Sequence, residues 1–355
     1  MPRLSGDEPL RVLVVDDSAY VRFSVARHLE SVPDLLVAGC AGNGSEALAM
    51  IPDLNPDVIT LDVEMPVMDG LTALHEIMNH FPRPVVMMSS RTTAGAAVTI
   101  KALTLGAVDF VAKPESRASI NVVMEELVEK IRACRAVRLH HRAPFFLRTR
   151  PLVETEQALQ PEPIRRTDKI VIIGASTGGP RALSEVVPAL PSDLKAGVLI
   201  IQHMPVGFTG PLAQRLNRIS SLEVREACDG DVLCRGQALV APGGYHMQIG
   251  DGGAIALNDK PSVHGVRPAV DVTMASVVPA YGNRSVGVVL TGMGRDGSNG
   301  ASLIHAAGGW VIAEDQSTCI VWGMPRSVTE HGASDEVVPL HEVSAAIERA
   351  VQRMP

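Results

Sequence analysis

A hydroxyl, an imidazole and a carboxylate stand in chain order at Ser176, His203 and Asp296, each just after an apolar, strand-forming run. Ser176 lies in Gly174-Ala175-Ser176-Thr177-Gly178-Gly179-Pro180 behind Ile170-Val171-Ile172-Ile173. That order reads as strand, tight turn and helix start, with the hydroxyl held at the strand's carboxyl end. The glycines let the backbone bend sharply, and the helix start aims free N–H groups at whatever sits there. Such a turn suits a hydroxyl attacking a carbonyl, whose developing oxyanion needs fixed donors. It suits a bound phosphate as well. His203, in Gln202-His203-Met204-Pro205, follows Val198 to Ile201, and Asp296 closes Thr291-Gly292-Met293-Gly294-Arg295-Asp296 after Val286 to Leu290. A serine nucleophile needs a base, and the base needs a carboxylate to fix its tautomer and charge; these three residues supply those roles. Plainer readings exist. Asp296 can cap the helix beginning near Gly297, His203 can be a turn residue, and the Gly292 to Gly297 turn can form an anion nest. His246, His264 and His305 compete with His203, and Asp271 and Asp315 with Asp296.

A second reactive set lies earlier in the chain. Asp16 and Asp17 follow Val12 to Val15, Asp62 follows Val58 to Leu61, Ser89 follows Val85 to Met88, and Lys113 follows Val108 to Ala112. Carboxylates gathered at one sheet edge repel one another unless a hard cation joins them, and such oxygen ligands suit Mg²⁺. A carboxylate beside Mg²⁺ and a lysine can attack a phosphoryl group, because both cations neutralise charge on its oxygens. The alternative for Asp16-Asp17 is a helix cap.

The elements that must position these groups alternate strand and helix twice. In the first half five apolar runs are separated by helical patterns, the last helix carrying Ile120, Val123, Met124, Leu127, Val128 and Ile131. Five βα units predict a doubly wound parallel sheet. From Ile170 the alternation resumes through Val198 to Ile201, Ala238 to Ala241, Val286 to Leu290 and Trp310 to Ala313, with a β-hairpin over Tyr245 to Leu257 centred on Gly250-Asp251-Gly252-Gly253. Open α/β sheets place their sites at strand carboxyl ends, where both reactive sets fall. A chain of 355 residues is long for one core, so two α/β domains are expected. Between them Arg135 to Lys169 is rich in arginine, histidine and proline and reads as a linker, in which Phe145-Phe146-Leu147 is expected to pack against a domain.

The formal net charge of −7, with 14 Lys and Arg against 18 Asp and Glu from Asp168 onward, argues against a nucleic-acid partner. The second half is also too large for a helix-turn-helix output module. Five scattered cysteines without a C-x-x-C predict reduced thiols, no zinc site and a cytoplasmic location. No signal peptide or membrane-inserting segment is read from the sequence.

Val14-Val15-Asp16-Asp17-Ser18, Leu61-Asp62-Val63-Glu64-Met65-Pro66, Met68-Asp69-Gly70, Ser89 and Phe110-Val111-Ala112-Lys113-Pro114 together resemble the receiver domain of two-component response regulators. The resemblance implies a flavodoxin-like fold phosphorylated at Asp62 by a chemotaxis-type histidine kinase. It also implies Mg²⁺ held by Asp62, by Asp17 directly, by Asp16 through water and by the Glu64 carbonyl, with Lys113, Ser89 and Phe110 as switch residues. The Ser176, His203 and Asp296 motifs, with Ala241-Pro242-Gly243, Arg267-Pro268-Ala269-Val270-Asp271 and Gly323-Met324-Pro325, are similar to the catalytic domain of chemotaxis protein-glutamate methylesterases. A receiver fused ahead of that domain is the family's architecture. It implies a receiver over 1–138, a linker over 139–167 and a larger, Rossmann-like α/β esterase domain over 168–355. It further implies hydrolysis of glutamate γ-methyl esters on methyl-accepting chemoreceptors, some relatives also deamidating receptor glutamines. Thr177 and Met293 would serve the oxyanion, and Mg²⁺ would serve phosphorylation alone, the esterase reaction needing no cofactor. The reading from another class is a phosphorylation-controlled module that binds an anion or nucleotide at the Ser176 and Gly292 turns without chemistry.

Overall fold

A computed structural model describes residues 8–90, 92–113, 120–137 and 167–355. The chain divides into two compact units, Met1–Leu139 and His140–Pro355. Residues 138–166 of the expected linker, with Phe145-Phe146-Leu147, lie outside the described residues.

In the first unit β1 (Leu10–Val15), β2 (Leu35–Ala41), β3 (Val58–Asp62), β4 (Val85–Ser89) and β5 (Asp109–Ala112) form one parallel sheet in the order β2-β1-β3-β4-β5. The central strands β3 and β4 are buried along their whole length, as strands covered by helices on both faces must be. Helices α1 (Ala19–Glu30), α2 (Gly44–Leu54), α3 (Gly70–His80), α4 (Thr93–Leu105) and α5 (Ile120–Ala133) supply the crossovers. Strand order reverses between β1 and β3, so the crevice opens where Asp16, Asp17 and Asp62 emerge. The cap of α1 is Ser18, whose hydroxyl accepts Val21 N–H at 3.4 Å. Asp16 is therefore not the cap; its Oδ1 accepts Ser18 N–H at 2.9 Å at the crevice.

The second unit is built on seven parallel strands in the order β14-β13-β12-β6-β7-β9-β8. They are β6 (Ile170–Ala175), β7 (Gly197–Gln202), β8 (Glu223–Glu226), β9 (Gln237–Val240), β12 (Ser285–Val289), β13 (Trp310–Glu314) and β14 (Glu336–Val338). The expected hairpin forms as the antiparallel pair β10 (His246–Ile249) and β11 (Ile255–Asn258). The helices are α6 (Gly179–Ala189), α7 (Thr209–Ile219), α8 (Val270–Tyr281), α9 (Ser298–Ala306), α10 (Met324–Glu330) and α11 (Leu340–Arg353). β6 lies between β12 and β7, with the chain running outward in opposite senses on either side. That switch point puts the ends of β6, β7 and β12 together, and with them Ser176, His203 and Thr291.

Candidate active site

Ser176 leaves β6 on a turn tied from three sides. Its N–H donates to Thr291 O at 3.0 Å, its carbonyl accepts Gly179 N–H at 2.8 Å, and the same carbonyl accepts Gln202 Nε2 at 2.9 Å. Gly178, the residue that caps α6, has φ 81, a conformation that favours glycine. Gly292 packs directly on the serine: a Cβ there would lie 2.8 Å from Ser176 Cβ. His203 sits one strand over, its N–H donating to Ala175 O at 3.1 Å, with Ala175 and Gln202 in register.

The imidazole is held from below. His203 Nε2 lies 2.8 Å from Asp296 Oδ2, with the two side chains 9% and 2% exposed. Asp296 in turn accepts Val270 N–H at 2.6 Å, Asp271 N–H at 2.9 Å and Gly297 N–H at 3.0 Å. The carboxylate is thus seated on the N-terminus of α8, whose dipole favours a negative charge. Burial works to raise the Asp296 pKa, but the His203 ring and the N–H groups of Asp271 and Val270 outweigh it and hold the carboxyl below its ordinary range. An ionised Asp296 fixes the hydrogen of His203 on Nε2 and leaves Nδ1 as the basic nitrogen. The described residues include no hydrogen bond between Ser176 Oγ and the His203 ring, a looseness common in sites without substrate. Thr177 is buried just ahead of α6, while Met293 is exposed.

The competing residues are occupied elsewhere. His264 Nε2 binds Asp271 Oδ2 at 2.9 Å, His246 Nε2 meets Pro261 O at 3.1 Å, His305 pairs with Asp335 at 3.1 Å, and Asp315 accepts Ser317 N–H at 2.9 Å. His264, Asp271 and Asp296 bring ligand atoms within 4.8 Å of one another. Both oxygens of Asp296 are already taken by His203 and backbone donors, so the trio is poorly made for a metal.

Gln202 and Gly179 were not anticipated as partners. Gln202 is 2% exposed and bridges the carbonyls of Ser176 and His203 at 2.9 and 3.3 Å. A Cβ at Gly179 would lie 1.9 Å from Gln202 Oε1 and 2.8 Å from Ala175 Cβ. Overpacking of this kind costs about 1–3 kcal/mol. Gly179→Ala is therefore expected to lower the melting midpoint by roughly 2–10 °C and to slow labelling of Ser176 by a serine-directed fluorophosphonate. Unchanged melting and labelling would mean that the amide moves aside freely.

In the first unit the acidic set converges as expected. Oxygens of Asp16, Asp17 and Asp62 lie within 4.8 Å of one another, and Lys113 Nζ sits 2.8 Å from Asp16 and 2.7 Å from Asp62. Burial pushes the Asp62 pKa up to about 6 and the Asp16 charge adds to it, against the pull of Lys113 and the Glu64 N–H. Burial also opposes the charge on Lys113, but the two carboxylates outweigh it and raise its pKa. Three carboxylates facing one ammonium form a hard-oxygen donor set short of positive charge, which fits a divalent cation such as Mg²⁺. Ser89 Oγ is turned toward α4, 2.6 Å from Thr99 Oγ1 and 3.3 Å from Gly95 O. Phe110 is buried, with Lys130 Nζ 5.2 Å from its ring centroid.

Residues 171–347 match the CheB methylesterase family and residues 12–125 the response regulator receiver domain family. A protein-glutamate methylesterase/protein-glutamine glutaminase of Symbiobacterium thermophilum is 52% identical over 353 residues, covering 97% of each chain. One of the same name from Pyrococcus abyssi is 46% identical over 348 residues, covering 97% of this chain and 94% of that one. The crystal structure of the Thermotoga maritima CheB methylesterase catalytic domain superposes with a TM-score of 0.50 at 43% identity, covering 51% of this chain and 97% of that one. With a buried His–Asp pair beside a serine on a strand-turn-helix and a carboxylate crevice ahead of it, this chain belongs to the protein-glutamate methylesterase/protein-glutamine glutaminase family, a receiver domain joined to a CheB methylesterase domain.

Proposed function

We propose that residues 168–355 are a serine esterase that hydrolyses glutamate γ-methyl esters on methyl-accepting chemoreceptors, controlled by phosphorylation of Asp62 in a receiver over residues 1–138. The observation that carries the reading is the His203–Asp296 pair at 2.8 Å, seated on the α8 N-terminus one strand from Ser176. His203 Nδ1 takes the Ser176 proton as the oxygen attacks the ester carbonyl, the imidazolium being stabilised by Asp296. N–H groups at Thr177 and Met293 receive the oxyanion, and methanol leaves with the proton that His203 returns. Water then cleaves the glutamyl-serine by the same route. The glutaminase activity in the relatives' names asks more of His203, which must protonate a nitrogen leaving group; we extend it to this chain on the same triad.

In the receiver, Asp62 accepts the phosphoryl group from a chemotaxis-type histidine kinase. Asp16, Asp17 and Asp62, with the Glu64 carbonyl, would hold Mg²⁺, which when bound neutralises phosphoryl oxygens. Lys113 pairs with the new anion, and Ser89 leaves Thr99 to contact it as Phe110 adjusts. No helix of the described residues is long and apolar enough to cross a membrane. The reduced-cysteine composition supports a cytoplasmic location, where receptor cytoplasmic regions are accessible.

The reaction is tested by methanol release from a methylated receptor fragment, with and without a small phosphodonor and Mg²⁺. Release that rises with the phosphodonor supports the proposal, and no release from the phosphorylated protein refutes it. The Ser89–Thr99 contact gives a second test. Thr99→Val keeps the shape but removes the hydroxyl that engages Ser89, a bond worth about 0.5–1.5 kcal/mol. The variant is expected to bind the phosphoryl mimic beryllofluoride roughly 2- to 10-fold more tightly; equal or weaker binding argues against Thr99 as a brake.

A further inference from the structure

The carboxyl end of the second sheet holds a buried ionisable side chain that the triad does not use. Glu314, the last residue of β13, is 0% exposed and makes no ion pair among the described residues. Its Oε2 accepts Thr291 N–H at 2.7 Å, and its Oε1 accepts the Thr318 hydroxyl at 3.0 Å. The Thr318 oxygen is itself fixed by Leu340 N–H at 2.9 Å, so the carboxylate is gripped from both sides. Thr291 passes the constraint on. Its carbonyl accepts Ser176 N–H at 3.0 Å, and its hydroxyl donates to Thr177 O at 3.0 Å while accepting Val321 N–H at 3.0 Å. The peptide groups entering and leaving the Ser176-Thr177 pair thus both hang on Thr291, and Thr291 hangs on Glu314.

We infer that Glu314 is a positioning residue for the nucleophile turn, acting through Thr291 to set the direction of the Ser176 hydroxyl and the Thr177 N–H. The inference rests on Ser176 being the nucleophile. A buried carboxylate without a cation is costly to keep, and a neutral side chain would fill the space more cheaply. What the carboxylate adds is a charge-assisted acceptor for one particular N–H. Burial pushes the Glu314 pKa up to about 7, and Glu185 on α6 pushes the same way, against the hydrogen bonds of Thr291, Thr318 and Cys319. Cys319, on the loop after β13, stays a neutral thiol, its own pKa raised by burial and by Glu314 and Asp315. Above about pH 7 Glu314 is charged and holds Thr291 most strongly; below it the proton weakens that hold.

The test uses the full-length protein, with methanol release from a methylated receptor fragment and the rate of fluorophosphonate labelling as readouts. Glu314→Ala is expected to lower kcat about 10- to 100-fold with KM little changed, and to slow labelling in parallel. Glu314→Gln offers an amide oxygen to Thr291 N–H and an NH₂ to Thr318, so it should restore most of kcat. Its rate should also fall less steeply than wild type below pH 7, because one titrating group is gone. A Glu314→Ala enzyme with wild-type kcat overturns the inference, as does one altered only in KM. If Glu314→Ala does not fold, Glu314→Leu decides, because it fills the space but offers Thr291 N–H no acceptor: wild-type kcat in that variant overturns the inference. Ser176→Ala is run beside them: methanol release that survives in it refutes the nucleophile itself, a failure no Glu314 outcome can imitate.

Discussion

Ser176→Ala is expected to lower methanol release by about 10⁴-fold or more, and Asp296→Asn to come close to it at about 10⁴-fold. The first loss follows from removing the attacking oxygen. The second has a structural cause beyond the lost charge. Four N–H donors converge on the Asp296 carboxylate: His203 Nε2, Val270, Asp271 and Gly297. An asparagine presents one oxygen and one NH₂ to them, so one side of the amide must face donors. If the NH₂ faces Val270 and His203, the imidazole is driven to the wrong tautomer and Nδ1 carries the hydrogen. If it faces Asp271 and Gly297, the α8 and α9 starts lose their acceptor. Because serine and aspartate act as one unit, the double variant should be little worse than Ser176→Ala alone. Asp296→Asn activity within tenfold of wild type would remove Asp296 from the triad.

The proposed triad could be read from the sequence because its members follow strands, and strands with both faces covered announce themselves as unbroken apolar runs. Ile170 to Ile173 and Val198 to Ile201 are such runs, and register then places Ser176 beside His203. Edge strands give no such signal. β8 reads Glu-Val-Arg-Glu and β14 is three residues long, so the five expected strands of the second sheet became seven. The competing caps and bases could not be excluded from sequence either. Asp296 does not cap the adjoining α9, whose cap is Gly297; it instead accepts the first N–H groups of α8 from 26 residues away, a contact that only tertiary structure creates. Gln202 and Glu314 were hidden for the opposite reason. Each ends an apolar strand, where a polar residue looks like the exit to solvent, but each is buried and bonded inward. A polar residue that closes an otherwise apolar central strand at the sheet's carboxyl edge is the signal that could have found them.

A small phosphodonor with Mg²⁺ is expected to raise methanol release about 5- to 150-fold, and Asp62→Asn to abolish that rise while keeping the basal rate. The argument is one of charge. In the unphosphorylated crevice Lys113 already divides itself between Asp16 and Asp62. A phosphoryl group on Asp62 brings further anionic oxygens, and one lysine cannot satisfy them all. The hydroxyl that closes the neighbouring strand, Ser89, is engaged with Thr99 and Gly95 on α4, so it reaches the new anion only by giving up those bonds. Two arrangements of the same loop are then separated by a few hydrogen bonds, the scale on which coupling energies of about 1–3 kcal/mol operate. The second unit has its own seven-stranded sheet and its own core, so a fragment beginning at Thr167 should fold alone. If the unphosphorylated receiver restrains the esterase, that fragment should release methanol faster than the unphosphorylated whole chain. Equal rates would mean that phosphorylation adds an activating contact, and activation surviving in Asp62→Asn would move the phosphoryl acceptor elsewhere.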